Sequence, residues 1–130
     1  MDGREEFLVP ELSAPISHYC DAVRWGDLLF VSGVAPVDAK GAVVSDDVAV
    51  QARQVFVNMK AILDAAGASF ADVLKVTVYL TDVQDRKKIN PVRQQYFGAA
   101  RPASTLIGVS ELAIPGMKVE IEAVVGLRAR

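Results

Sequence analysis

Few side chains in this chain could do chemistry by type and spacing alone. His18 and Cys20, its single histidine and single cysteine, stand two residues apart. On an extended strand both would face the same side, as a nucleophilic Cys–His pair requires. No third residue is placed to orient the imidazole, and a strand with a small buried thiol is the competing reading. Histidine is the residue type suited to acid–base work near neutrality, which makes His18 a candidate acid or base. With one His, one Cys and no acidic cluster at ligand spacing, no metal motif is present. Gly33 and Gly41 stand alone and open no helix, so no phosphate loop is expected. Two stretches remain: Arg101-Pro102-Ala103-Ser104-Thr105, and Val119-Glu120-Ile121-Glu122, whose carboxylates share the polar side of an alternating run. A carboxylic acid there could hold a water or shuttle a proton near neutral pH only if burial raised its pKa. Without such burial Glu120 would be a solvated or interface residue paired with Lys118.

The elements that must position these residues follow from periodicity. Residues 1–15 carry Pro10 and Pro15 with mixed polarity and read as an irregular arm. Tyr19 to Arg24 and Leu28 to Ser32 are predicted strands, joined by the turn Trp25-Gly26-Asp27. Apolar side chains at Val48, Ala52, Val55, Met59, Ile62, Leu63 and Ala66 predict one face of a helix. Ser45 or Asp46 would cap its start, and Gly67 would end it in the left-handed conformation. Val73 to Leu80 alternates, with Leu74, Val76, Val78 and Leu80 on one face and Lys75, Thr77 and Tyr79 on the other. A second helix is expected to start at Asn90-Pro91, with Asn90 as N-cap, Pro91 first in the helix, and Gly98 as the stop. Ser104 to Val109 and Lys118 to Leu127 complete the strands. The expected architecture is an α+β fold, one domain over residues 1–130, in which a mixed six-stranded sheet carries two helices on one face. The opposite face, with Thr77, Tyr79 and Val124, is left uncovered, and packing against copies of itself would make an oligomer.

Composition narrows the partners. The 130 residues are 52% hydrophobic with a net charge of −2, and the sequence pI is about 5.3. Nucleic-acid binding needs clustered cations. The best cluster, Arg86-Lys87-Lys88, sits beside Asp82 and Asp85 and reads as a solvated face. No nucleic-acid partner is expected. No apolar run approaches the roughly 20 residues of a membrane span. A lone cysteine suits a reducing cytosol, and a cytoplasmic location is expected.

Several stretches, in the same order, resemble the Rid family (reactive intermediate deaminases, also called YjgF). They are Ser17 to Val23, Leu29 to Gly33, Asn58 to Gly67, Asp72 to Thr77 with Leu80-Thr81-Asp82, Ile89-Asn90 with Tyr96-Phe97, and Val119 to Ala123. The match runs from about Ala14 to Val125. It implies a chorismate-mutase-like fold and a homotrimer with clefts between subunits. It also implies cofactor-free hydrolysis of small imines or enamines, such as 2-aminoacrylate, to a keto acid and ammonia. Carried over residue by residue, the catalytic candidates are Glu120 and Tyr19. The substrate-binding candidates are Ser32, Gly33, Asn90, Arg101, Ser104 and Thr105. The family's Pro-Ala pair is followed by an arginine that clamps a substrate carboxylate, and here Ser104 holds that position. Losing a sheltered bidentate ion pair costs on the order of a few kcal/mol. The expectation is a small-molecule hydrolase or deaminase of altered specificity. The alternative is a non-catalytic small-molecule-binding or chaperone-like trimer. Ribonuclease activity, attributed to some relatives, fits poorly with the acidic balance.

Overall fold

Period-two alternation and turn residues draw much of this chain into strands. The structure, a computed structural model, describes residues 3–128. Strands β1 (Arg4–Phe7), β2 (Ala22–Trp25) and β3 (Leu28–Val34) form an antiparallel meander. Trp25 pairs with Leu28 across a two-residue turn, where Gly26 takes a φ of 59° that a side chain would resist. The chain continues through α1 (Val48–Ala65), β4 (Val73–Leu80), α2 (Arg86–Phe97), β5 (Ala103–Gly108) and β6 (Val119–Gly126). The sheet runs β1-β2-β3-β6-β4-β5. The β4–β5 pair is parallel, as a crossover through α2 requires.

One face of this sheet is the core. Leu29, Val31, Val76, Val78, Leu80, Val119, Ile121, Ala123 and Val125 are buried with Val55, Phe56 and Met59 of α1 and Ile89 and Val92 of α2. Between the helices, Phe56, Phe70, Tyr96 and Phe97 pack ring against ring, with centroids 5.2–6.0 Å apart. The expected α+β layering, with six strands and both helices to one side, is therefore observed. The opposite face is bare. Trp25, Leu28, Phe30, Leu74 and Ile107 stand exposed on it.

Four local expectations need correction. The arm over residues 1–15 is not irregular throughout. Arg4–Phe7 pairs with β2 as an edge strand, and its almost wholly exposed side chains leave no hydrophobic alternation to read. The first helix is capped by Asp47 instead of Ser45 or Asp46. Its Oδ1 accepts from the N–H groups of Ala49 (2.8 Å) and Val50 (3.3 Å), while Ser45 Oγ accepts from Asp47 N–H. Asn90 is not an N-cap. α2 begins four residues earlier, running on from a 3₁₀ turn at Val83–Asp85 that Asp82 caps through Gln84 N–H, so Pro91 sits inside the helix. Its missing N–H deprives only the exposed Lys87 carbonyl, which water can serve. Leu74 does not join the core. A bulge between Val73 and Lys75 turns it onto the bare face, where it is 52% exposed. The end of α1 is as expected. Gly67, at φ 72°, lets Ala68 N–H reach back to the Leu63 carbonyl at 2.9 Å.

Candidate functional site

Glu120 rises from β6 onto the bare face, beside the irregular end of β3. The β3–β6 register shifts between Val31 and Val34, and Gly33 lies in that shift. A Cβ at Gly33 would overlap the Glu120 carboxyl carbon and Oε2, so the carboxyl rests directly against the Gly33 backbone. Glu120 is half-buried. Burial first, and the neighbouring Glu122 carboxylate second, raise its pKa above the ordinary 4.5. Across the ladder its partner is Tyr79, whose hydroxyl donates to Glu122 Oε1 at 2.7 Å. That hydrogen bond is the main reason the Tyr79 phenol is also raised. Tyr79 thus satisfies the Glu122 carboxylate, and the charge held there favours a protonated Glu120.

Buried amides hold this corner. Asn58 on α1 donates to the carbonyls of Ala35 (3.0 Å) and Val37 (2.9 Å), clipping the loop after β3 to the helix. Gln51 donates to the carbonyls of Ser45 (2.7 Å) and Gly116 (2.9 Å) and accepts from Lys118 N–H (2.8 Å), fixing the approach to β6. Ser32 Oγ donates to the Cys20 carbonyl at 2.7 Å, which pins the segment carrying Tyr19 over β3. Tyr19 itself is 47% exposed, and its hydroxyl accepts from Ile16 N–H at 3.4 Å. Tyr19, Ser32, Gly33, Asn58, Ala113 and Glu120 line one concavity.

The other predicted residues lie elsewhere on the chain. Asn90, Arg101 and Ser104 line a separate concavity of about 440 Å³ with Arg93 and Pro102. Ser104 accepts a hydrogen bond from Arg93 Nη2 at 3.0 Å. Thr105 alternates to the opposite face of β5, beside Thr77, and lines neither concavity. His18 and Cys20 do not share a strand face, because neither residue is in a strand. His18 is exposed, and the Cys20 thiol donates to the Ala22 carbonyl at 3.4 Å. One chain therefore carries two separate concavities: one with an acid against a glycine, and one lined by cations.

The sequence model of the family described as Endoribonuclease L-PSP matches residues 11–127. The chain belongs to this family, which is the Rid (YjgF) family. A RutC family protein of Pyrococcus horikoshii is 43% identical over 93% of this chain and 96% of its own. A 2-iminobutanoate/2-iminopropanoate deaminase of Salmonella typhimurium is 38% identical over 85% of this chain and 88% of its own. Among solved structures, RidA from an Antarctic Psychrobacter superposes with a TM-score of 0.89 at 33% identity, covering 95% of this chain and all of that one.

For this Rid protein, sequence reading did not single out Arg93 or Tyr79, and it placed Glu122 beside Glu120 without a partner for it. The Tyr79–Glu122 bond joins residues 43 apart in sequence and comes from strand register alone. Arg93 follows Asn90 by three residues, about one helical turn, and so shares its side of α2. With the helix correctly extended, that spacing would have been a usable signal. Among the described residues no helix is long and apolar enough to cross a membrane.

Proposed function

We propose that this protein hydrolyses a small imine or enamine bearing a carboxylate, without a cofactor. The site is a cleft completed where one subunit of a homotrimer meets the next. The observation that carries the proposal is Glu120: a half-buried carboxyl, raised in pKa, pressed against Gly33 in a concavity that Tyr19 also lines. A raised pKa moves Glu120 toward the range in which a general acid–base group works best. The acid protonates the imine nitrogen and makes its carbon electrophilic. Water adds to that carbon, and the Glu120 carboxylate takes the proton the water loses. The same proton then passes to the amino group of the carbinolamine, which departs as ammonia while the hydroxyl proton returns to the Glu120 carboxylate, leaving the carbonyl product and the acid restored. Tyr19, Ser32 and the Gly33 backbone border this chemistry. Asn90, Arg101 and Ser104 border the cationic hollow that receives the substrate's carboxylate.

Two features support assembly of the halves across subunits. The half-sites lie apart on one protomer, and the exposed Trp25, Leu28, Phe30, Leu74 and Ile107 make the bare sheet face a surface that copies of the chain would cover. The name of the Salmonella relative supports the imine class. Thr105, on that sheet face, is read as an interface residue near the site. We place the protein in the cytoplasm, where such reactive intermediates arise. The replacement at Ser104 favours a specificity different from that of 2-aminoacrylate deaminases. It also keeps a second reading in play, a trimer that binds small molecules without turnover.

The test supplies 2-imino acids generated in place by an amino-acid oxidase and measures ammonia release. Acceleration by the wild type and its loss in Glu120→Gln are expected. No acceleration with any imino acid, together with ligand-dependent stabilisation, would leave the binding trimer as the correct reading. Size-exclusion chromatography with light scattering tests the trimer.

A further inference from the structure

Arg93 is a half-buried cation with no anionic partner among the described residues. It projects from α2 toward β5, where its Nη2 donates to Ser104 Oγ at 3.0 Å. The ion pairs among the described residues are Arg4–Glu6, Lys60–Asp64, Lys88–Asp85 and Arg128–Asp72. Arg93 belongs to none of them. The residues around its hollow include no aspartate or glutamate, while Arg101 adds a second cation and Asn90 and Gln94 add amides. Burial lowers the Arg93 guanidinium from its ordinary value, yet a guanidinium stays charged in proteins. Holding a partly desolvated charge with no counter-ion costs free energy. The arrangement is the one expected of a site whose counter-ion is the ligand.

We propose that Arg93, acting through Ser104, is the carboxylate clamp of this protein, the charge being delivered from the helix and not from the strand. Ser104 Oγ accepts from the guanidinium, so its hydroxyl proton is left to donate elsewhere. Arg93 spends one of its five N–H groups on Ser104 and has others to offer. A carboxylate in the hollow accepts from both, which reproduces the two-pronged grip that a strand arginine would give. The small side chain at position 104 is then a requirement, because a long one would fill the space the Arg93 guanidinium uses. Serine in that position relocates the clamp and does not abolish it. The assignment of the bound group as the carboxylate of a substrate rests on the imine-hydrolase reading. The binding of a carboxylate does not.

The experiment titrates the full-length protein with 2-oxobutanoate, an unreactive carboxylate, followed by calorimetry. It uses wild type, Arg93→Gln, Arg93→Lys and Arg101→Gln, each checked for folding by circular dichroism. Removing one charged hydrogen-bond donor should weaken binding roughly 10- to 100-fold in Arg93→Gln, with part of the affinity kept in Arg93→Lys. In the ammonia assay Arg93→Gln should raise KM by a similar factor with kcat little changed. Wild-type affinity in Arg93→Gln, loss in Arg101→Gln alone, or no binding by the wild type would overturn the clamp. Carboxylate binding that depends on Arg93 without any turnover would uphold the clamp and sink the hydrolase reading. Turnover with an unchanged KM in Arg93→Gln would do the reverse.

Discussion

Replacing Gly33 by alanine should abolish the proposed imine hydrolysis while leaving the fold almost untouched. The added Cβ would overlap Glu120 Oε2 and Cδ and crowd Cγ, so one side must move. Gly33 does not have a positive φ, and its backbone accepts an alanine. Glu120 is a flexible side chain, and its far end can swing away at a cost of about 1 kcal/mol for a strained rotamer. Gly→Ala returns about 0.4–1 kcal/mol by restricting the unfolded chain. The two terms nearly cancel, so the thermal midpoint should shift by only a few degrees. Catalysis has no such compensation. A positioned acid–base group contributes at least roughly 100-fold to the rate, or about 2.7 kcal/mol, and a displaced carboxyl forfeits it. The assay pairs ammonia release with a thermal melt, and Glu120→Gln sets the floor of activity. Wild-type kcat/KM in a folded Gly33→Ala protein would refute the claim that this contact positions the acid. A melting point lowered by well over 10 °C would refute the claim that Glu120, and not the β3–β6 backbone, gives way.

Glu120 also makes stability depend on pH, and the sign is set by its raised pKa. The folded state holds the proton more tightly than the unfolded chain. The contribution is therefore full below the ordinary 4.5 and is lost as pH rises through the folded value. Urea titrations from pH 4 upward should show a smaller decline in Glu120→Gln than in the wild type. Removing the like charge in Glu122→Gln should lower the pKa of Glu120, which shows as a shift of the alkaline limb of the kcat/KM profile to lower pH. An unmoved limb would assign the whole shift to burial. Gln51→Leu strips three hydrogen bonds from backbone groups at Ser45, Gly116 and Lys118. It should cost about 3 kcal/mol, on the order of 10 °C in Tm, read by calorimetry.

Much of the fold was legible in sequence because hydrophobic periodicity reports which face is buried. The α1 stripe from Val48 to Leu63 and the β6 alternation from Val119 to Val125 are read directly. Both elements appear where expected, and both pack on the core. Legibility failed where no burial contrast exists. β1 has mostly exposed side chains, only Phe7 packing against the core, and is held chiefly by main-chain pairing. The Leu74 bulge is set by how β4 meets β6. The Asn90-Pro91 signature mimics a helix start, but a 3₁₀ turn carries the chain into α2 ahead of it.

The sequence alone determined the layering, the bare sheet face, the family and the residues Glu120, Tyr19, Gly33 and Ser104 as candidates, because residue types and their spacing carry that information. Only the tertiary structure decided what those candidates touch. It set the Glu120 carboxyl on Gly33, gave Glu122 to the Tyr79 hydroxyl and brought Arg93 to Ser104. These contacts arise from strand register and from helix-to-sheet packing, which join residues far apart in the chain. Burial and the charge of a neighbour, which together tune an acid, exist only once those joins are made.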